Sequence, residues 1–137
     1  MAPFTFSIEL EPRYRDLDPN GHVNQAVYAS YFEQARTKYW DAIGLPIQEV
    51  SVAMVHQEID YRAELSLGQA FTVAMRVDEL GETSIPTTYE LRTAAGVAAT
   101  ASVVLVAFDT ERREARPIPD EWRTAIESYE AEHGNEW

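Results

Sequence analysis

The sequence predicts an α+β domain in which one antiparallel sheet of about five strands carries a long helix on one face and a short helix at its end. Three observations lead there. The opening residues alternate with period two, the stretch from Gln25 to Ile43 repeats apolar residues at spacings of three and four, and four extended segments follow before a last helical pattern.

The first strand covers residues 4 to 11, with Phe4, Phe6, Ile8 and Leu10 on one face and Thr5, Ser7, Glu9 and Glu11 on the other. The helix from Gln25 to Ile43 carries Val27, Tyr28, Tyr31, Phe32, Ala35, Tyr39 and Ile43 as a wide apolar stripe, and it stops at Gly44-Leu45-Pro46. Val52 to Arg62 is rich in β-branched and aromatic residues, which makes it a strand. Phe71, Val73, Met75 and Val77 alternate with polar or small neighbours, then turn at Leu80-Gly81-Glu82 into Ile85, Thr87, Tyr89 and Leu91 as a hairpin. Pro86 lacks the N–H of a ladder donor and belongs near a strand start, at a bulge or at an edge. Val97 to Phe108 is apolar on both faces from Val103 on and reads as a central strand. Pro119-Asp120 opens the terminal helix, with Trp122, Ile126 and Tyr129 along one side.

The 137 residues fit a single domain spanning 1–137, with 45% apolar and 25% charged residues in globular proportion. The absence of cysteine excludes disulfides, thiol nucleophiles and cysteine-based zinc sites. A formal charge of −12 opposes nucleic acid and anionic membrane as partners, since both require a basic footprint. The N-terminus lacks the basic and continuously apolar regions of a signal peptide, and no run approaches the ~18 apolar residues of a membrane span. The expectation is a cytoplasmic protein.

The chemistry is expected in the loop Arg15-Asp16-Leu17-Asp18-Pro19-Asn20-Gly21-His22-Val23-Asn24, which delivers Asp18 beside a helix N-terminus whose free N–H groups can hold developing negative charge. Taken alone, Asp-Pro-Asn-Gly is also ordinary turn chemistry, and Asp18 fits an Asx turn or an N-cap equally well. Asp16 reads as an exposed or salt-bridged carboxylate near Arg13 or Arg15. His22 fits either a turn-packing or a proton-transferring role, and Asn24 either a helix cap or a substrate contact.

The spacing D-x-D-P-x-G-H-V-N, followed by a helix bearing Tyr28, Tyr31, Phe32, Glu33 and Arg36, resembles the hotdog-fold acyl-CoA thioesterases of the 4-hydroxybenzoyl-CoA thioesterase-like group. The element order matches over the full length. The resemblance implies hydrolysis of an acyl-CoA with Asp18 as nucleophile or general base, and with the backbone N–H of Gln25 polarising the thioester carbonyl. It implies that His22 and Asn24 help shape the site, as in acyl-acyl-carrier-protein thioesterases. No cofactor and no metal are expected.

Tyr28 and Tyr31 lie close enough to the loop to line an acyl pocket, although large aromatics at this spacing also serve as core. Glu33 either approaches the pocket or pairs locally with Arg36 or Thr37. Arg112 and Arg113, with Arg116, form the densest positive cluster and are candidates for the phosphates of the substrate. The family implies a homodimer or homotetramer whose site is completed across the subunit interface, from the strands beginning near Val52 and Phe71. A non-catalytic module that binds an acyl thioester, and an acyl-acyl-carrier-protein thioesterase, are the alternatives. A hotdog dehydratase ranks last, because the chain lacks its helix-side motif.

Overall fold

In the computed structural model, which describes residues 2–137, the chain runs β1 (Phe6–Leu10), α1 (Val27–Ala42), β2 (Val52–Tyr61), β3 (Phe71–Val77), β4 (Ser84–Thr93), β5 (Gly96–Asp109), β6 (Glu114–Ala115) and α2 (Asp120–Glu132). The sheet order is β1-β3-β4-β5-β2, with every pair antiparallel, and β6 adds a two-residue ladder to β5. The expected elements are all present. The long helix starts two residues later than the periodicity suggests, because Gln25 and Ala26 are spent in a turn.

The inner face of the sheet is built from alternate residues. Val73 lies opposite Leu91, Met75 opposite Tyr89, Tyr89 opposite Ala101 and Leu91 opposite Ala99. Large side chains on β4 thus face alanines on β5, and the aromatic face of α1 packs on β3 and β4. Phe32 packs on Tyr89 with ring centroids 5.3 Å apart, and Tyr31 packs on Phe71 at 4.8 Å. Each such fully buried side chain contributes about 2 kcal/mol. The stripe is wider than the sequence suggests, since α1 also buries Arg36 and Trp40.

α2, the expected short C-terminal helix, packs on the C-terminal end of α1 through Trp40–Trp122 and Tyr39–Tyr129 ring contacts. It joins the inner layer. The outer sheet face is therefore uncovered in the single chain, and Val104 and Val106 of β5 stay half-buried there. β5 is interior to the sheet, between β4 and β2, as its apolar residues predict, but only one of its faces meets a helix layer. Pro86 sits near the start of β4, opposite Val104 of β5 and just past the last β3 pair, Val77–Thr87, and its carbonyl accepts the Asp78 N–H at 2.8 Å.

Thr5, assigned by alternation to the polar face, is buried. It precedes the strand proper, and its hydroxyl donates to the Glu130 carboxylate of α2 at 2.8 Å. The strand beginning at Phe71 lies inside the sheet between β1 and β4 and has no free edge. β2 does have one. A bulge between Met54 and His56 leaves Val55 61% exposed on that edge.

Candidate active site

The loop before α1 is fixed from beneath by Asp16. This residue is only 2% exposed, and it accepts hydrogen bonds from the Arg13 backbone N–H at 2.9 Å, the Arg13 guanidinium at 2.9 Å and the Tyr31 hydroxyl at 2.7 Å. Burial pushes its carboxyl up, but the bonds from Arg13 and Tyr31 outweigh burial and hold it below the usual carboxylate range. Burial and the neighbouring Asp16 carboxylate push the Tyr31 phenol up.

A carboxyl whose folded value is depressed stabilises the protein above its unfolded value, near 4, and that contribution fades as pH falls through the folded value. Asp16→Asn is accordingly expected to be less stable than wild type in urea at pH 7. The gap should narrow steadily when unfolding is repeated between pH 5 and pH 3, and a gap constant with pH would show that the ionised form is not what Asp16 contributes.

Asp18 stands on this base. Its backbone N–H donates to the His22 carbonyl at 2.8 Å, and its own carbonyl accepts from the Gly21 N–H at 3.0 Å. The side-chain Oδ1 accepts from the backbone N–H groups of Asn20 at 2.9 Å and His22 at 3.3 Å. Gly21 takes φ 83°, which closes the turn in a conformation other residues adopt only under strain. The Asx turn expected as the plain alternative is therefore present, and it does not compete with a chemical role. One carboxylate oxygen organises the loop, while Oδ2 has no hydrogen-bond partner among the described residues.

The loop is clamped to the segment after β2. Val23 N–H donates to the Leu65 carbonyl at 2.9 Å, and His22 and Ser66 form an isolated antiparallel bridge. Asn24 closes the turn into α1, its Oδ1 accepting the Ala26 N–H at 2.9 Å and its carbonyl accepting the Val27 N–H at 2.9 Å. The Gln25 N–H has no acceptor among the described residues, although the Gln25 carbonyl accepts the Tyr61 hydroxyl at 2.9 Å.

A cavity of about 380 Å³ opens here, and Asp18, His22, Asn24, Gln25 and Tyr28 all line it. Its far wall is Tyr61, Ala63 and Glu64. Tyr28 donates its hydroxyl to the Ala63 carbonyl at 3.1 Å and meets the Tyr61 ring edge-on at 5.0 Å. His22 Nε2 lies 3.2 Å from the Glu64 carboxylate. Sequence reasoning does not single out Tyr61 or Glu64, since nothing near them marks the bridge that brings residues 64–66 against the loop.

The other sequence candidates lie elsewhere. Tyr31 is buried against Asp16 and anchors the loop without reaching the cavity. Glu33 lines a separate cavity between α1 and β2, and it forms no salt bridge with Arg36; the neighbouring Thr37 hydroxyl instead donates to its carbonyl at 3.0 Å. Arg112 and Arg113 occupy the exposed β5–β6 turn. Tyr61 pairs with Ala99, and the ten residues of β5 from there to Asp109 put that turn about 33 Å along the strand from the cavity. Among the described residues no three His, Asp or Glu side chains group as metal ligands would.

A carboxylate with a free oxygen, an unpaired main-chain N–H and a His–Glu pair around one polar cavity equip the site to act on an electrophilic carbonyl. The family model described as the thioesterase-like superfamily matches residues 12–126. The fold matches that of a thioesterase from Thermus thermophilus crystallised with coenzyme A and zinc, at 31% identity over 96% of this chain and 98% of that one, with a TM-score of 0.84. A predicted thioesterase from Bacillus stearothermophilus matches at 25% identity over 96% and 98%, with a TM-score of 0.83. The chloroplastic acyl-acyl carrier protein thioesterase ATL2 of Arabidopsis thaliana is 39% identical over 75 residues, which is 51% of this chain and 40% of that protein. The match thus spans well under half the length of the plant relative.

Proposed function

We propose, for a chain that belongs to the thioesterase-like superfamily and carries its hotdog fold, that residues 1–137 act as one domain hydrolysing an acyl-CoA to free acid and CoA. The observation that carries this reading is the convergence of Asp18 and the unpaired Gln25 N–H on one cavity. In the general-base form, Asp18 Oδ2 takes a proton from water as the water oxygen adds to the thioester carbon. The carbonyl electron pair moves onto oxygen, where the Gln25 N–H receives it; one such donor is worth about 3 kcal/mol. Collapse of the adduct expels the thiolate, which recovers the proton from Asp18. In the nucleophilic form Oδ2 itself adds to the carbon and the C–S bond breaks, giving an anhydride and the thiolate; water then opens the anhydride to the free acid and the Asp18 carboxylate, and the proton released passes to the thiolate. His22, held by Glu64, relays protons at the cavity mouth.

Two further features belong to this proposal. The free edge of β2 and the uncovered sheet face suit a homo-oligomer in which the partner completes the cavity. Acyl carrier protein replaces CoA as the carrier in a second reading, supported by the name of the plant relative.

The test is thiol release from a panel of short, long, branched and aromatic acyl-CoAs, with acyl carrier protein thioesters alongside. Steady release of CoA thiol is expected. Binding of acyl-CoA without release would leave a non-catalytic module of the same fold. Light scattering at micromolar concentration should give at least twice the monomer mass, and a uniform monomer would remove the shared site.

A further inference from the structure

Arg36 is 7% exposed, yet it forms no salt bridge among the described residues. Its one side-chain hydrogen bond runs from Nη1 to the Tyr89 hydroxyl at 3.3 Å, and its Cζ lies 5.7 Å from the centroid of the same ring. Only Nη1 is paired, and to a neutral acceptor, whereas the remaining guanidinium nitrogens are without a partner among the described residues yet stay accessible, free to take an anion. Arg36 lines a cavity of about 340 Å³ shared with Glu33 and Thr37, its remaining walls apolar, from Trp40 on α1, Ile47 ahead of β2, Val52 and Met54 of β2, and Leu105 of β5. An apolar chamber of this size with one convergent cation is built for a ligand that is mostly hydrocarbon and ends in an anion.

The same two elements wall both cavities. Tyr28 of α1 and Tyr61 of β2 flank the Asp18 cavity, whereas Arg36 and Trp40 of α1 with Val52 and Met54 of β2 flank this one. Eight residues of helix separate Tyr28 from Arg36, about 12 Å along α1. The cavity at the loop is lined mostly by polar side chains, so an acyl group leaving it finds its apolar surface farther along this seam.

We infer that Arg36 receives a carboxylate at the far end of the substrate's acyl group, so that this protein selects ω-carboxyacyl thioesters over plain fatty acyl ones. The inference rests on the thioesterase reading above. The guanidinium fork matches a carboxylate in two parallel hydrogen bonds. Glu33 lines the same cavity from an exposed position and opposes the incoming anion, which sets a limit on the preference.

The test compares decanoyl-CoA with its ω-carboxy counterpart of equal length. Wild type should favour the carboxy substrate by about tenfold or more in kcat/KM, the range of a charged hydrogen bond. Arg36→Gln should bring the ratio to about one, and Glu33→Gln should raise it. Equal turnover of the pair by wild type, or a preference that survives Arg36→Gln, overturns the inference. So does an oligomer that dissociates in Arg36→Gln with the ratio unchanged, since the missing anion would then be a carboxylate of a second copy. If Arg36→Gln does not fold, the wild-type ratio and the Glu33→Gln shift decide. If no acyl-CoA is hydrolysed, the thioesterase reading fails by itself, and calorimetry with decanedioate and decanoate reads the site directly: tighter binding of the diacid sustains the inference, and equal binding ends it.

Discussion

Replacing Asp18 with Asn should lower kcat/KM for every accepted acyl-CoA by about a thousandfold while leaving the unfolding transition where it is in wild type. The separation of the two effects follows from the two oxygens. Asn retains Oδ1, so the Asn20 and His22 N–H groups keep their acceptor and the turn keeps its shape. What disappears is the negative charge on the free oxygen, and the amide that replaces it neither adds to a thioester carbon nor takes a proton from water. Positioned acid–base groups contribute about 10² to 10⁴ in rate, and a nucleophile at least as much. Thiol release read in a colorimetric assay, with circular dichroism on the same samples, checks both halves. Turnover near the wild-type rate would move the chemistry off Asp18 and leave it a turn residue only.

The second large effect falls on stability, at the other end of α1. Glu130 is fully buried, and four donors converge on its carboxylate: the hydroxyls of Thr5 and Tyr39, each at 2.8 Å, the Val77 N–H at 3.2 Å and Asn135 Nδ2 at 2.7 Å. One side chain of α2 thereby ties together the residue before β1, the end of β3, the long helix and the C-terminal turn. Burial of the Tyr39 phenol, with the adjacent carboxylate, pushes it well up, so it serves as a donor at every ordinary pH. Glu130→Ala removes the common acceptor and leaves a cavity, and the loss is expected to be about 3 to 5 kcal/mol in urea unfolding. Glu130→Gln keeps the shape but points an amide donor at groups that already donate, and about 1 to 3 kcal/mol is expected. The folded fraction of either variant should hydrolyse at the wild-type rate, because Tyr39 lies about 17 Å along α1 from Tyr28. A loss below about 1 kcal/mol for Glu130→Ala would mean that the donors find other partners at little cost.

These two residues differ in how readily the linear chain reveals them. Asp18 is legible because the turn that presents it is local: Pro19 and Gly21 shape it, and the donors to its carboxylate lie within four residues. Glu130 is not, since its position beside Tyr129 on a helix gives no sign that it points inward, and its partners come from positions 5, 39, 77 and 135. Tyr61 and Glu64 escape notice for the same reason. Alternation puts Thr5 on the wrong face because a period-two pattern says nothing about the residue where a strand has not yet begun.

Short-range pattern alone was enough for the order of elements, the inward stripe of α1 and the loop that presents Asp18, because periodicity and turn chemistry act between residues a few positions apart. Three other outcomes had to wait for the folded chain: that β1 and β2 end the sheet, that Tyr31 serves Asp16 and not the cavity, and that Arg36 lies buried without a counter-charge. They depend on which distant segments share one face of a sheet and one side of a helix. Packing settles that, since burying an apolar face constrains every element at once and leaves polar groups such as Arg36 and Glu130 to find their partners wherever the chain has brought them.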